Sequence, residues 1–377
     1  MTYELKKALV SSVVIASMSL LAACTTSASG TQSSQAVATT SKTTESTIDW
    51  ENLPTKEVTL TNEGLTITEA GTYVLKGTTA AGVTVNTTGN VRLVLAGVAI
   101  SGQDTAAIYV EAADNAVLEL QEGTENTVSD SKQHSDSNIE GAIHSKADLT
   151  ITGTGRLTVE GNFEDGIVSS DDLVIDSGTI AVTATDDGIR GKDSVTITGG
   201  TIDVIAVDDG IKSNNDQDAS KGIVHISGGT ITVQAGDDGI KAESSLIIDD
   251  GQVTVTSSTE GLEGTNVTIN GGIITVTATD DGINAASTAM GADIFIKVTG
   301  GTINVSVGQG DTDAFDSNGN LFISGGSINV TAPTSGFDFD GSVEFTGGDV
   351  TVNGEKKTEI IADGPGGGFG GGPRGGW

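Results

Sequence analysis

The chain has 377 residues, long for one compact core but ordinary for a repeat protein. Glycine supplies 53 of them and proline only 4, which excludes a collagen-like or proline-rich chain, and one cysteine excludes a disulfide framework. A net charge of −33 excludes nucleic acid and anionic lipid surfaces as natural partners and favours cations, or polyanions bridged by cations.

The chain opens on Lys6-Lys7, followed by a short apolar run from Ala8 to Leu20 and then Leu21-Ala22-Ala23-Cys24. This is the layout of a secretory signal over residues 1–23, too short to span a bilayer comfortably. The lone Cys24 directly after Leu-Ala-Ala resembles a bacterial lipobox. That resemblance implies a diacylglyceryl-modified N-terminus and a location on the outer face of a bacterial membrane. Residues 24–47 are mostly Ser, Thr, Ala and Gln, a composition that buries nothing and reads as a tether. Residues 364–377 form a Gly-rich tail.

Between tether and tail, residues 48–363 repeat. Asp186-Asp187-Gly188-Ile189 returns at Asp208-Asp209-Gly210-Ile211, Asp237-Asp238-Gly239-Ile240 and Asp280-Asp281-Gly282-Ile283. Glu164-Asp165-Gly166-Ile167 precedes them, and Thr259-Glu260-Gly261-Leu262 is a worn copy. Weaker copies follow at Asp313-Ala314-Phe315 and Ser335-Gly336-Phe337. The corner glycines 166, 188 and 210 are 22 residues apart, as are 239 and 261. Longer gaps hold insertions around Asn214–Lys221 and Ala285–Asp293. A Gly-Gly pair recurs at a fixed offset, as in Gly199-Gly200 and Gly228-Gly229.

Such a period means a solenoid, and the local pattern decides which kind. Val195 and Ile197 alternate with Thr196 and Thr198; after Gly-Gly, Ile202 and Val204 alternate with Thr201 and Asp203. Period two with β-branched residues predicts strands. Coils of about 22 residues with three short strands each predict an all-β parallel β-helix. Ile143, Ile167, Ile189, Ile211, Ile240, Leu262, Ile283, Phe315 and Phe337 are then one stacked core column. Residues 48–75 and 354–363 are the candidate end covers.

Equivalent residues stack at ~4.8 Å, so the Asp-Asp corners predict a carboxylate ladder along one edge. Two carboxylates at that spacing repel by ~1 kcal/mol in water and ~3.5 kcal/mol at an effective dielectric of 20. Bound cations would relieve this, and oxygen-only ligands suit Ca²⁺. The expected ligands are Asp186, Asp187, Asp208, Asp209, Asp237, Asp238, Asp280 and Asp281, flanked by Asp165 and Glu260. The acidic loop Asn214–Asp218 is a weaker candidate. Two residues after the corner glycine, Arg190, Lys212 and Lys241 form a second column, read as outward cations that would meet uronate carboxylates. His134, His144 and His225 are scattered and read as surface or turn histidines rather than zinc ligands.

Gly123-Thr124-Glu125-Asn126-Thr127-Val128, Gly153-Thr154-Gly155-Arg156-Leu157-Thr158-Val159, the Asp-Asp-Gly-Ile coils and Ile226-Ser227-Gly228-Gly229-Thr230-Ile231 resemble a family of bacterial carbohydrate-binding proteins. The resemblance covers about residues 55–353. It implies a right-handed parallel β-helix, bound calcium, and binding of cellulose and polygalacturonate. The same coils are similar to a pectate lyase family, which implies Asp186, Asp187, Asp208, Asp209, Asp237 and Asp238 as calcium ligands and Lys212 or Lys241 as a base. The chain departs from that pattern where Glu260 replaces an Asp pair. The leading expectation is a monomeric, non-catalytic surface binder of acidic polysaccharide that uses Ca²⁺. A calcium-dependent polysaccharide lyase and a structural adhesin are the alternatives.

Overall fold

A computed structural model describes residues 48–310 and 312–362. The proposed signal, Cys24, the tether and the Gly-rich tail lie outside the described residues. No described helix is long and apolar enough to cross a membrane. Apart from a 3-10 turn at Trp50–Asn52, the regular elements are strands, so the protein is all-β.

The strands follow the repeat. Leu149–Gly153, Arg156–Gly161 and Asp165–Ser169 fill one coil; Asp172–Ile175, Thr179–Ala184 and Ile189–Gly191 fill the next. Each strand pairs in parallel with its copy one coil away, as in Leu149↔Leu173, Leu157↔Ile180 and Ile167↔Ile189. Three such ladders run the length of the described chain, and a parallel ladder at this period is the register of stacked coils.

Alternation along each strand sends every second side chain inward. The expected column is in register, from Ile143↔Ile167 through Ile211↔Ile240 to Ile283↔Phe315. Its members from Ile143 to Phe315 are 0% exposed. It continues to Phe337, whose ring stacks on Phe315 at 5.1 Å, and back to Ile108 and Val83. The core is therefore continuous through the irregular N-terminal coils.

The corner glycines have a packing role. A Cβ on Gly188 would lie 2.3 Å from Val204 Cγ1 and 2.6 Å from the Gly210 carbonyl oxygen. The second residue of each Gly-Gly pair has a backbone role instead: Gly200 takes φ +92°, which favours glycine.

The ends differ from expectation. Thr55–Leu60 pairs in parallel with Gly71–Thr79, so most of the proposed N-terminal cover is itself coil. At the other end Glu355–Lys357 folds back antiparallel on Val343–Val352, the one antiparallel pairing among the described residues, and Ile360 is buried beyond it. A reversed strand stops the parallel stacking and masks an open edge. The second insertion begins after the strand Ile283–Ala285, so Ala285 belongs to the coil.

Candidate functional site: a charged stripe beside a carboxylate ladder

The Asp-Asp corners form two columns, not one. The doublets lie in the bends just before the strands Ile189–Gly191, Ile211–Ser213 and Ile240–Ile248, and their two members differ in burial. Asp187, Asp209 and Asp238 turn inward and are 4%, 1% and 2% exposed. Their neighbours Asp186, Asp208 and Asp237 turn outward. Asp165 belongs to the inner column and is likewise buried. In the later coils Glu260 and Asp281 take the inner position and Asp280 the outer one, all three half-buried.

The inner carboxylates tie coils together. Asp165 Oδ1 accepts the backbone N–H of Asp187 at 3.1 Å, Asp187 Oδ1 that of Asp209 at 3.2 Å, and Asp209 Oδ1 that of Asp238 at 2.9 Å. Asp281 Oδ1 accepts from Asp313 N at 2.8 Å. A buried N–H left without such an acceptor would be costly, so the aspartates are part of the scaffold.

Each inner aspartate of the middle coils also has a cation. Arg190, Lys212 and Lys241 stack in register, as the sequence predicts. They reach back to the ladder instead of standing clear of it. Arg190 Nε donates to Asp165 Oδ2 at 2.9 Å, and its Nη2 also pairs with Glu140. Lys212 Nζ lies 2.7 Å from Asp209, 3.3 Å from Asp187 and 3.7 Å from Asp208. Lys241 Nζ lies 2.5 Å from both Asp238 and Glu263. The physical reason is burial: carboxylates this deep need partners. Burial works against the charge on Lys212, but Asp187 and Asp209 outweigh it and hold its pKa above the ordinary lysine value. Burial, aided by Asp165, pushes the Asp187 carboxyl up to about 7.

From Tyr109 onward, after Thr66 and Thr84 in the first coils, the same strand position can be followed coil by coil. In register it reads Tyr109, His144, Val168, Arg190, Lys212, Lys241, Glu263, Asn284, Asp316 and Asp338. The stripe is aromatic and neutral at one end, cationic in the middle and acidic at the other end. Glu263, Asn284, Asp316 and Asp338 were legible by the offset that finds Lys212, two residues after the corner position. Glu140 was not: it lies fifty positions from Arg190 in an irregular loop.

His144 corrects an expectation. It is 2% exposed, its Nδ1 accepts the Glu140 N–H at 3.1 Å, and burial lowers its pKa to about 4. The side chain of His134 is also enclosed, stacked on Phe163 at 4.4 Å and 3.0 Å from Asp130. His225 meets Asp249 at 2.8 Å.

Three groups of carboxylates along the ladder have ligand atoms within 4.8 Å of one another: Asp186 with Asp187 and Asp208; Asp208 with Asp209 and Asp237; and Asp238 with Glu260 and Glu263. A fourth, Asp148 with Asp171 and Asp172, lies at a different corner. All are oxygen donors, the set that hard cations take. In the acidic loop, Asn215 Nδ2 donates to Asp193 at 2.5 Å and Asp218 accepts from Ser220, so its polar groups serve the loop itself. Beside the stripe lies a cavity of about 230 Å³ lined by Lys241, Glu263, Thr265, Ser287, Thr288 and Asn318 among others.

The described residues thus form an all-β protein of parallel strand ladders with a charged stripe on one face. A model of the carbohydrate-binding domain-containing protein family matches residues 61–314, well over half of the chain, and the chain belongs to that family. A carbohydrate-binding domain-containing protein of Acetivibrio thermocellus is 36% identical over 126 residues, 31% of this chain and 44% of the relative. The chain thus spans less than half the length of that curated relative. A solved structure of a polysaccharide lyase-like protein from C. thermocellum, a gadolinium derivative, is similar over 55% of this chain and 82% of its own, with 36% identity and a TM-score of 0.49.

Proposed function

We propose that this chain is an exported, lipid-anchored, non-catalytic binder of acidic polysaccharide, acting with calcium on a right-handed parallel β-helix. The observation that carries this reading is the register column Arg190, Lys212 and Lys241, beside outward carboxylates at Asp186, Asp208 and Asp237. Cations repeating at strand spacing, ~4.8 Å, suit a polymer whose own carboxylates repeat along its length. Membership of a carbohydrate-binding family supports the ligand class. The fold alone would not.

Calcium enters through the outer column. Asp208 belongs to two of the ladder's oxygen clusters, and Ca²⁺ accepts six to eight such ligands in flexible geometry. Asp186, Asp208 and Asp237, with the outer oxygens of Asp187 and Asp209, would hold it; Asp238, Asp280, Asp281 and Glu260 flank them. Asp165 is engaged by Arg190 and is the weakest candidate. A bound calcium supplies a positive centre that a uronate carboxylate can share. Arg190, Lys212 and Lys241 keep 14%, 20% and 28% of their side chains exposed while pairing with the ladder, so a ligand carboxylate would share their donors with it.

The lyase alternative requires Lys212 or Lys241 to take a proton from the sugar ring. Their neighbours oppose that role: two carboxylates grip each ammonium and favour its charged form. The test is binding of the whole chain to polygalacturonate with calcium and with EDTA, while watching for unsaturated product. Calcium-dependent binding without product supports the proposal. Binding that ignores EDTA removes calcium from it, and no binding at all overturns it.

A further inference from the structure

Two segments interrupt the period of the coils, and both leave the fold at the same corner. Residues 214–222 intervene where one coil passes from the strand Ile211–Ser213 to Ile223–Ile226, and residues 286–294 where another passes from Ile283–Ala285 to Phe295–Val298. The two coils between them make the same passage inside the unbroken strands Ile240–Ile248 and Leu262–Ile269. Hydrogen bonds tie the stack together here: Ser244 N donates to the Gly222 carbonyl at 2.8 Å, Thr265 Oγ1 to Glu243 O at 2.9 Å, and Ala286 N to Gly264 O at 3.1 Å. Asp216–Ser220 and Thr288–Gly291 are exposed, so the two insertions stand as walls about three coil steps apart, ~14 Å, with a bare floor between them. Insertions that gather on one face of a repeat protein are the usual mark of a binding face.

The cavity of about 230 Å³ lies on this floor, against the second wall. Its volume is below the ~300–1,000 Å³ of pockets for drug-sized ligands and suits one small ring. Glu243 and Thr265 stand two residues past Lys241 and Glu263 on the same strands, so the cavity opens to the side of the stripe. Among the described residues the side chains of Glu243, Thr288 and Asn318 have no hydrogen-bond or ion-pair partner, which leaves a carboxylate, a hydroxyl and an amide for a ligand. The charge opposes a further uronate. Lys241 is already held at 2.5 Å by both Asp238 and Glu263, and Glu243 adds a second carboxylate to the lining. Along the stripe the sign turns at the same coil, since Glu263, Asn284 and Asp316 follow Lys241 in register. A polyanion seated on Arg190, Lys212 and Lys241 therefore meets like charge at the next step.

We infer that this cavity seats a single neutral sugar residue branching from the uronates of the stripe, so that the ligand is an acidic polysaccharide with neutral branches and not a uniform polyuronate. The inference rests on the proposed function and narrows it. A neutral sugar presents hydroxyls, each of which donates and accepts. One donates to the Glu243 carboxylate, another accepts from the Asn318 amide, and the Thr288 hydroxyl serves either way. The C–H face of the ring lies against the short side chains of Ala242 and Ala286. The site then discriminates in both directions, by hydrogen bonds to the neutral residue and by repulsion of a charged one. The branch is recognised beside Lys241, where the run of cations under the backbone ends.

The test measures calorimetric binding of the whole chain, in calcium, to two sets of oligomers of equal backbone length. One comes from polygalacturonate, the other from xylogalacturonan, which has the same backbone with single xylose branches. The parent is expected to bind the branched oligomers at least about fivefold more tightly, the worth of one or two net hydrogen bonds. Thr288→Trp fills the cavity and is expected to bring the ratio of the two affinities to about one. Asn318→Ala removes one donor and should lower the ratio about threefold. Both positions are exposed, and an unchanged melting midpoint checks that each variant keeps the fold. A parent ratio of one, or a preference that Thr288→Trp retains, overturns the inference, while binding of the unbranched oligomers leaves the functional reading standing. Should Thr288→Trp fail to fold, Asn318→Ala decides: a preference equal to the parent's overturns the site. Binding to neither set overturns the functional reading and this inference with it.

Discussion

The coils around Arg190, Lys212 and Lys241 and the coils around Asn284, Asp316 and Asp338 share one backbone plan. Both keep an inner acid at the corner, both stack a large apolar side chain next to it, and both present the following side chain on the same stripe. They differ in how the buried charge is answered. The middle coils carry their own cations, at 2.5–3.7 Å from the carboxylates of Asp187, Asp208, Asp209 and Asp238. The later coils answer Glu260 with an amide and place Asp316 where a lysine would stand. A repeat protein can thus keep its scaffold while changing how the charge beside its corners is balanced. The exchange changes the sign of the charge along one stripe of a single scaffold.

The largest expected effect tests what the two regions share. Phe315→Ala and Ile211→Ala each remove a fully buried member of one column, at a cost of ~3–5 and ~2–5 kcal/mol respectively. Denaturant unfolding should show similar losses in both. A much smaller loss at Phe315 would mean that the later coils are loosely packed, and the comparison would then concern order, not charge.

The next effect tests how they differ. Lys212→Met keeps the apolar stem and removes the cation between Asp187, Asp208 and Asp209. Breaking a buried pair costs ~3–5 kcal/mol, and the 20% exposure of this lysine reduces that to about 2–3. Removing a charge in the later coils, by Asp316→Asn, has the opposite sign in the absence of calcium. Equal signs at the two positions would sink the distinction.

A third prediction concerns the neutral end of the stripe. The folded pKa of His144 is about 4, below the ordinary 6.5, because of burial and then the nearby Arg190 and Lys146 charges; Glu140 opposes them. A depressed histidine pKa favours the fold when the ring is neutral. That contribution is complete above about pH 6.5 and lost as pH falls toward 4, a difference of up to about 3 kcal/mol. Aspartates with raised pKa values act in the other direction, so the test compares variants. His144→Gln should lose less stability between pH 7 and pH 4 than the parent. Parallel pH curves would show that burial does not hold this ring neutral in the fold.

Much of this was legible in the sequence because stacking makes equivalent positions neighbours. The column from Ile143 to Phe337 and the register of Arg190, Lys212 and Lys241 need only the period and the alternation. What escaped was direction and reach. The doublets read as one ladder, but in the bend before each strand Asp187 is buried and bonded to the next coil while Asp186 stays partly exposed, so the two have separate roles. The cations read as outward, but burial of the inner carboxylates draws Lys212 back across a coil to Asp187, 25 positions away. The stripe was followed only while it stayed cationic. Glu263, Asn284 and Asp316 carry no local motif, and their common offset from the corner is the only trace in the sequence. Glu140, in the irregular segment between Glu125–Ser129 and Gly141–Ser145, has no period to reveal it.

The smallest predicted effect rebuilds the middle coils in the later ones. Asn284 holds the stripe position of Lys212, with Asp281 and Glu260 standing to it as Asp209 and Asp187 stand to Lys212. Asn284→Lys therefore places an ammonium between two carboxylates that now lack one. Its gain is the Coulomb attraction less the cost of ordering a lysine chain, about 0.5–1 kcal/mol in a half-buried setting. In EDTA the variant should melt a few degrees above the parent, since 1 kcal/mol moves the midpoint of a chain this size by about 2–4 °C. A variant that melts lower than the parent in EDTA would mean that the side chain does not fit, and that the two regions differ in shape as well as in charge.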